Sequence, residues 1–316
     1  VQTCALPIFV FGVSSLSFLQ PVALTILAAA VTGFGTSTVI NSFVTSLNSH
    51  YGAQAPLAVA QANGIASVGY VFGTFTIGSI AQQAPDFWRL GLLLILPLAF
   101  YLFFFRREKS AEPHVPTSDG PQSGKLSKAF WITWFGFIAT ISTEFATAFW
   151  AAALVRDRTD ASAAISTIAI MALGTGMGIG RFFGGRIMHK LSLDHQLLTI
   201  LGLQFVGFFG IWLSHNLAIS MVMLLLSGLG ISMQFALTSL RLISHSDGRP
   251  DLAIGRSSLA AGLAIGGAPF LLGVLGDQYG ISRAYLMVPV LILIAVAIVI
   301  IVPAQMSREE LDRLEA

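Results

Sequence analysis

Charge is what this sequence has least of. Lys, Arg, Asp and Glu make up 10% of the 316 residues, and 17 basic against 15 acidic side chains leave a net charge of +2. A soluble domain carries about 25% charged residues, because its surface has to be wetted. An ordinary globular enzyme is therefore excluded. A basic patch or stripe for nucleic acid is missing as well. Cysteine is nearly absent, and Cys4 alone builds neither an intramolecular disulfide nor a Cys-rich metal site. His50, His189, His195 and His245 are scattered without ligand spacing, so no metal and no cofactor is expected. No Ser-His-Asp set is visible, and no catalytic residue is assigned.

Apolar residues fill the space that charge leaves. They are 55% of the chain, and the mean hydropathy is +0.79. A helix needs about 20 apolar residues to span the hydrocarbon core. Ten runs qualify as candidates: 4–19, 21–47, 54–81, 87–105, 129–155, 161–188, 196–213, 217–240, 253–275 and 284–303. The class is an all-α polytopic membrane protein, with the lipid bilayer as its first partner. The chain begins at Val1, and the apolar stretch after it lacks the basic lead-in of a signal peptide. Its start reads as a cut.

The polar stretch between Arg106 and Lys128 holds Pro113, Pro116, Pro121, Gly120 and Gly124, and reads as a loop. It divides the chain into an N-terminal half-bundle of four spans (1–105), a linker (106–128), a C-terminal half-bundle of six spans (129–303) and a tail (304–316). Thirteen of the basic residues fall in one set of alternate loops with the linker and tail, and four in the other. The positive-inside rule then makes the linker and C-terminus cytoplasmic; the plasma (inner) membrane is the expected location.

Polar stripes run along some spans and not others. Thr38, Asn41 and Thr45 share a helical face, as do Asn63, Ser67, Tyr70 and Thr74. Thr140, Glu144 and Thr147 form a third stripe, and Ser227, Gly230, Gln234 and Thr238 a fourth. Lipid offers such groups no hydrogen bonds, so they are expected to face the bundle interior. The runs at 87–105, 196–213 and 284–303 are apolar all round and are expected to face lipid on most of their surface.

The two halves match. TGFGTS at 32–37 aligns with SGLGIS at 227–232, so that Gly33 pairs with Gly228, and Gly78 pairs with Gly273 at the same 195-residue offset. That offset carries Val1 onto Gln196, in the third span of its half. Two spans are then expected upstream, in an intact protein of twelve, and the chain as it stands is expected not to be transport-competent. Parallel repeats of this kind mark a large class of transporters.

The stretch from Gly180 to Leu191, GRFFGGRIMHKL, resembles the signature loop of the major facilitator superfamily. GVLGDQYG, from Gly273 to Gly280, resembles the turn between that family's last two helices. The resemblance implies a bundle of two parallel six-helix repeats, of which this chain would supply helices 3–12. It also implies alternating access, with 21–47, 129–155 and 217–240 lining the cavity. The spacing from Glu144 to Trp150, together with Asn41, resembles the fucose-permease-like sugar:proton symporters. The expected function is secondary active transport of a small organic solute, coupled to protons and possible for a sugar-like substrate, by a monomer. Efflux of amphipathic compounds and a non-transporting receptor stand as the alternatives.

Glu144 is the one acid well inside a span, 15 residues from Ala129 and 11 from Val155. A carboxylate at that depth costs about 2.5–3.5 kcal/mol and persists only facing protein or water. It is the expected proton-coupling residue, with no basic side chain at its depth. Substrate contacts are expected from Thr38, Asn41, Thr45, Asn63, Tyr70, Thr140, Thr147, Trp150, Gln234 and Thr238; interhelical bonding is the competing role for each. Arg181 and Arg186, at a cytoplasmic helix end, are the expected gating residues, set against plain topological anchoring.

Overall fold

The computed structural model describes residues 2–18, 21–51, 55–105 and 123–305, without certain side chains, those of Asn41 and Thr45 among them. Every described apolar run is helical. The helices are α1 (Gln2–Phe18), α2 (Val22–Tyr51), α3 (Ala55–Gln83), α4 (Ile95–Phe105), α5 (Lys128–Thr159), α6 (Ala163–Ala169) and α7 (Met171–Met188). They continue with α8 (Leu193–Leu213), α9 (Leu217–Ile231), α10 (Gln234–Ser244), α11 (Pro250–Tyr279), α12 (Ile281–Ala284) and α13 (Met287–Ile301). A 3₁₀ segment, Pro85–Leu94, leads into α4. Among the described residues, eight helical stretches are long and apolar enough to cross a membrane.

The start signals are local. Ser127 accepts from the Phe130 amide at 3.2 Å, Ser162 from Ile165 at 3.2 Å, and Asn216 from Ala218 at 2.9 Å. Each satisfies an N–H that the first helical turn leaves without an intrahelical acceptor. Asp160 closes α5 in the left-handed region, at φ 53°.

The chain forms two units. One comprises the described parts of 1–62 and 75–117, the other 63–74 and 118–316. In the first, α1 lies along α2, and Arg89 donates to the Leu16 carbonyl at 3.4 Å. Phe11, Ile26, Phe34 and Phe100 are exposed there, as lipid-facing side chains are.

In the second unit α5 is central, meeting α8, α9, α10, α11 and α13. Leu154, Leu173, Leu201, Leu224, Leu272, Tyr285 and Val288 form its core. α7 and α9 approach until backbones touch. A Cβ on Gly176 would collide with the Leu225 carbonyl, and one on Gly228 with the Leu173 carbonyl. Small residues permit this in a membrane, where packing and not the hydrophobic effect joins helices.

Several spans are broken. The run at 217–240 parts between α9 and α10, where Met233 sits at φ −115° and ψ 3°. The run at 196–213 is also less lipid-facing than its composition suggests. α8 buries Leu197, Ile200, Leu201 and Gln204, the last at 0% exposure. Its glutamine finds partners on two other helices, and that fixes which face turns inward.

Candidate functional site

Glu144 lies at the middle of α5 and is buried. Its oxygen Oε1 is 3.8 Å from Nη2 of Arg181, which corrects the expectation that no basic group reaches that depth. Arg181 precedes the end of α7 by seven residues, about 10 Å of helix, and its long stem carries the guanidinium inward. The same guanidinium donates to Ser67 Oγ at 2.7 Å, to the Asn63 carbonyl at 3.2 Å and, through Nε, to the Ser232 carbonyl at 3.4 Å. Ser232 lies at the break between α9 and α10, where helical bonding is interrupted. Four helical segments thus converge on one cation.

Beside it lies a second polar cluster. Thr143 Oγ1 is 3.0 Å from Gln204 Oε1 and 3.3 Å from Gln234 Oε1, and Gln234 Nε2 donates to Gln204 Oε1 at 2.6 Å. All three side chains are fully buried. This set spans α5, α8 and α10 and secures the start of α10 just past the break.

The remaining expected residues divide by what they touch. Asn63 contributes its backbone carbonyl, and Tyr70 is half-buried with its ring against Gly174. The hydroxyls of Thr38, Thr140 and Thr238 bond to carbonyls one turn back on their own helices, those of Phe34, Gly136 and Gln234. Such bonds satisfy a hydroxyl whichever way its helix faces. Thr147 accepts at its carbonyl from the Tyr285 hydroxyl at 3.2 Å. Trp150 donates Nε1 to the Pro269 carbonyl at 2.9 Å and lays its ring over Gly273, tying α5 to α11. Arg186 is exposed. Asn41 and Thr45 lie outside the described residues as side chains.

Among the polar groups not singled out from the sequence are Thr143, Gln204 and Arg241, which are buried, and Asp194, which is half-buried. Arg241 is 2% exposed, and its Nε donates to Asp194 Oδ1 at 2.7 Å. It also donates to the Val302 carbonyl at 2.5 Å, while Asp194 accepts from the Ala304 amide at 2.9 Å. The pair holds the end of α13 against α8 and α10. Its sequence signal was a basic residue in the last turn of a span.

A helical bundle whose spans are long and apolar enough to cross a membrane, with an ion pair among polar groups inside it, is the architecture of a polytopic membrane protein. Residues 3–248 match the Major Facilitator Superfamily, and the chain belongs to that family of secondary transporters. No curated protein matches the chain in sequence. Among solved structures, a bacterial homologue of the human lysosomal transporter Spinster, crystallised inward-facing and occupied, superposes with a TM-score of 0.71 at 13% identity. That match covers 95% of this chain and 81% of the other. The E. coli fucose:proton symporter superposes with a TM-score of 0.60 at 14% identity, covering 95% of this chain and 82% of that one. At these identities the likeness is one of fold.

Proposed function

We propose that the protein moves a small organic solute by alternating access, coupled to protons, with Glu144 as the proton carrier and Arg181 as its partner. The observation that supports this reading is the 3.8 Å approach of Arg181 to Glu144. Ionised, Glu144 is one of the four partners of the guanidinium. Protonated, it releases Nη2, which is then free for an oxygen of the solute and no longer ties α5 to α7, while the three neutral partners hold the rest of the guanidinium in place. Proton and solute therefore act on one group, and differential binding to two states is what shifts a conformational equilibrium. The resemblance to a fucose:proton symporter favours a sugar-like solute.

The two half-bundles, 1–105 and 129–303, rock about a mid-membrane site. The 106–128 linker and the 304–316 tail face the cytoplasm from the plasma membrane, and the monomer is the working unit. The test is uptake of labelled hexoses and 6-deoxyhexoses into proteoliposomes of the full-length protein under an inward proton gradient. Uncoupler-sensitive accumulation that Glu144→Gln abolishes is the expected result. Accumulation indifferent to both uncoupler and substitution would overturn the coupling.

A further inference from the structure

A second site lies where the chain enters α5. Gly124, Lys125, Leu126, Trp131, Leu252 and Arg256 line a cavity of about 320 Å³. Its floor is held in place by Arg249, which donates to the Ser123 carbonyl at 3.5 Å and to the Lys125 carbonyl at 2.8 Å, and pairs with Asp247 at 3.4 Å. Gly124 makes that grip possible. Its φ is +127°, which side chains rarely adopt, and a Cβ there would strike the Arg249 guanidinium.

The walls are fixed too. Trp134 donates Nε1 to the Arg256 carbonyl at 2.9 Å, locking α5 to α11 at this height. Trp131 meets Trp134 edge-on, with centroids 5.6 Å apart. Against this rigid frame the ends of Lys125 and Arg256 are exposed, and neither has an acceptor among the described residues. Ile132 on α5 and Ile254 on α11, at the height of the cavity, and Phe135 and Leu259, further along the same helices, are exposed apolar side chains.

We propose that this cavity binds the phosphate of an anionic phospholipid headgroup, with its acyl chains along the apolar sides of α5 and α11. Two exposed cations with no protein acceptor, lining one cavity, leave their donors available to an anion. A Trp at the span's edge sits at headgroup depth, and basic pockets between helices at that depth suit lipid phosphates. The transport reading does not touch these residues; only the choice of leaflet, the cytoplasmic one, rests on the proposed orientation.

The test is native mass spectrometry of the full chain from phosphatidylcholine nanodiscs doped with phosphatidylglycerol. We expect selective retention of phosphatidylglycerol, lost about thirtyfold in Lys125→Gln/Arg256→Gln, the weight of two cations near an anionic surface. Arg256→Lys, which keeps the charge, should retain it, and Arg156→Gln, outside the cavity, should match the parent. Equal retention by the parent and the double variant would overturn the site. A parallel arm adds inorganic phosphate to discs of phosphatidylcholine alone and reads protection of Arg256 from phenylglyoxal. Protection by phosphatidylglycerol and not by inorganic phosphate assigns the site to lipid. Protection by inorganic phosphate alone would overturn the lipid source. Because bound lipid is counted and not uptake, failure of proton coupling would leave these readouts unchanged.

Discussion

Arg181 Nη2 stands 3.8 Å from Glu144 Oε1, while Nη1 of the same guanidinium donates to Ser67 Oγ at 2.7 Å. The shorter contact is the neutral one. The cation is therefore anchored by α3 and leans towards the carboxylate, an arrangement in which the acid can change charge without the arginine losing its seat.

A double-mutant cycle checks this. Arg181→Gln leaves Glu144 buried without its cation, and Glu144→Gln leaves Arg181 with its three neutral partners. The first should destabilise the protein more than the second. The double variant should fall short of the sum by about 0.5–3 kcal/mol, the range for residues in one network. Thermal unfolding in detergent micelles reads it, and strict additivity would mean that the two groups do not interact.

The α7–α9 contact gives a second expectation. Gly176→Ala places a methyl against the Leu225 carbonyl, which is backbone and cannot turn aside. Overpacking of this kind costs about 1–3 kcal/mol. Gly185→Ala, with open space around its Cβ position, should leave the unfolding temperature unchanged or raise it.

The helices were legible because an apolar run long enough to span carries its own boundaries in charge, Pro and Gly. The inward faces were legible only in part. Thr38, Thr140 and Thr238 suggested polar stripes, yet each hydroxyl is satisfied by its own helix and gives no direction. Gln204 gives direction strongly, but a single glutamine in an oily run disappears into the average, and its partners lie 61 and 30 residues away. The sequence places the Cα of Arg181 near a helix end. The reach of its side chain puts the charge elsewhere. The break at Met233 has no proline to announce it, whereas Pro269 stands inside α11 without ending it.

Arg241 is buried and Asp194 half-buried, and the two form an ion pair at 2.7 Å. Arg241→Ala would take the cation from the carboxylate and free the end of α13. Because Asp194 is 20% exposed and still accepts from the Ala304 amide, the cost should fall below the about 3–5 kcal/mol for a fully buried pair broken from one side. Asp194→Asn should cost less, since its amide still offers an oxygen to Arg241. Comparable stability of Arg241→Ala and the parent in thermal unfolding would mean that the pair is not structural.

His245 follows Arg241 by one helical turn and caps α10 just outside the span. Burial, reinforced by the Arg241 charge, pushes its pKa below the usual histidine value, although the charges of Asp194 and Asp247 act the other way. The folded protein thus keeps this imidazole neutral at a pH where the unfolded chain, titrating near about 6.5, takes up a proton. Stability rises with pH wherever the unfolded state binds more protons. The contribution of His245 is complete above the unfolded value and is lost as pH falls through it towards the lower folded value. The unfolding temperature should therefore drop on acidification from pH 7.5 to pH 5.5, about one unit to either side of that unfolded value, and His245→Gln, which cannot be protonated, should flatten that part of the profile. An equally steep profile in the variant would place the titrating group elsewhere.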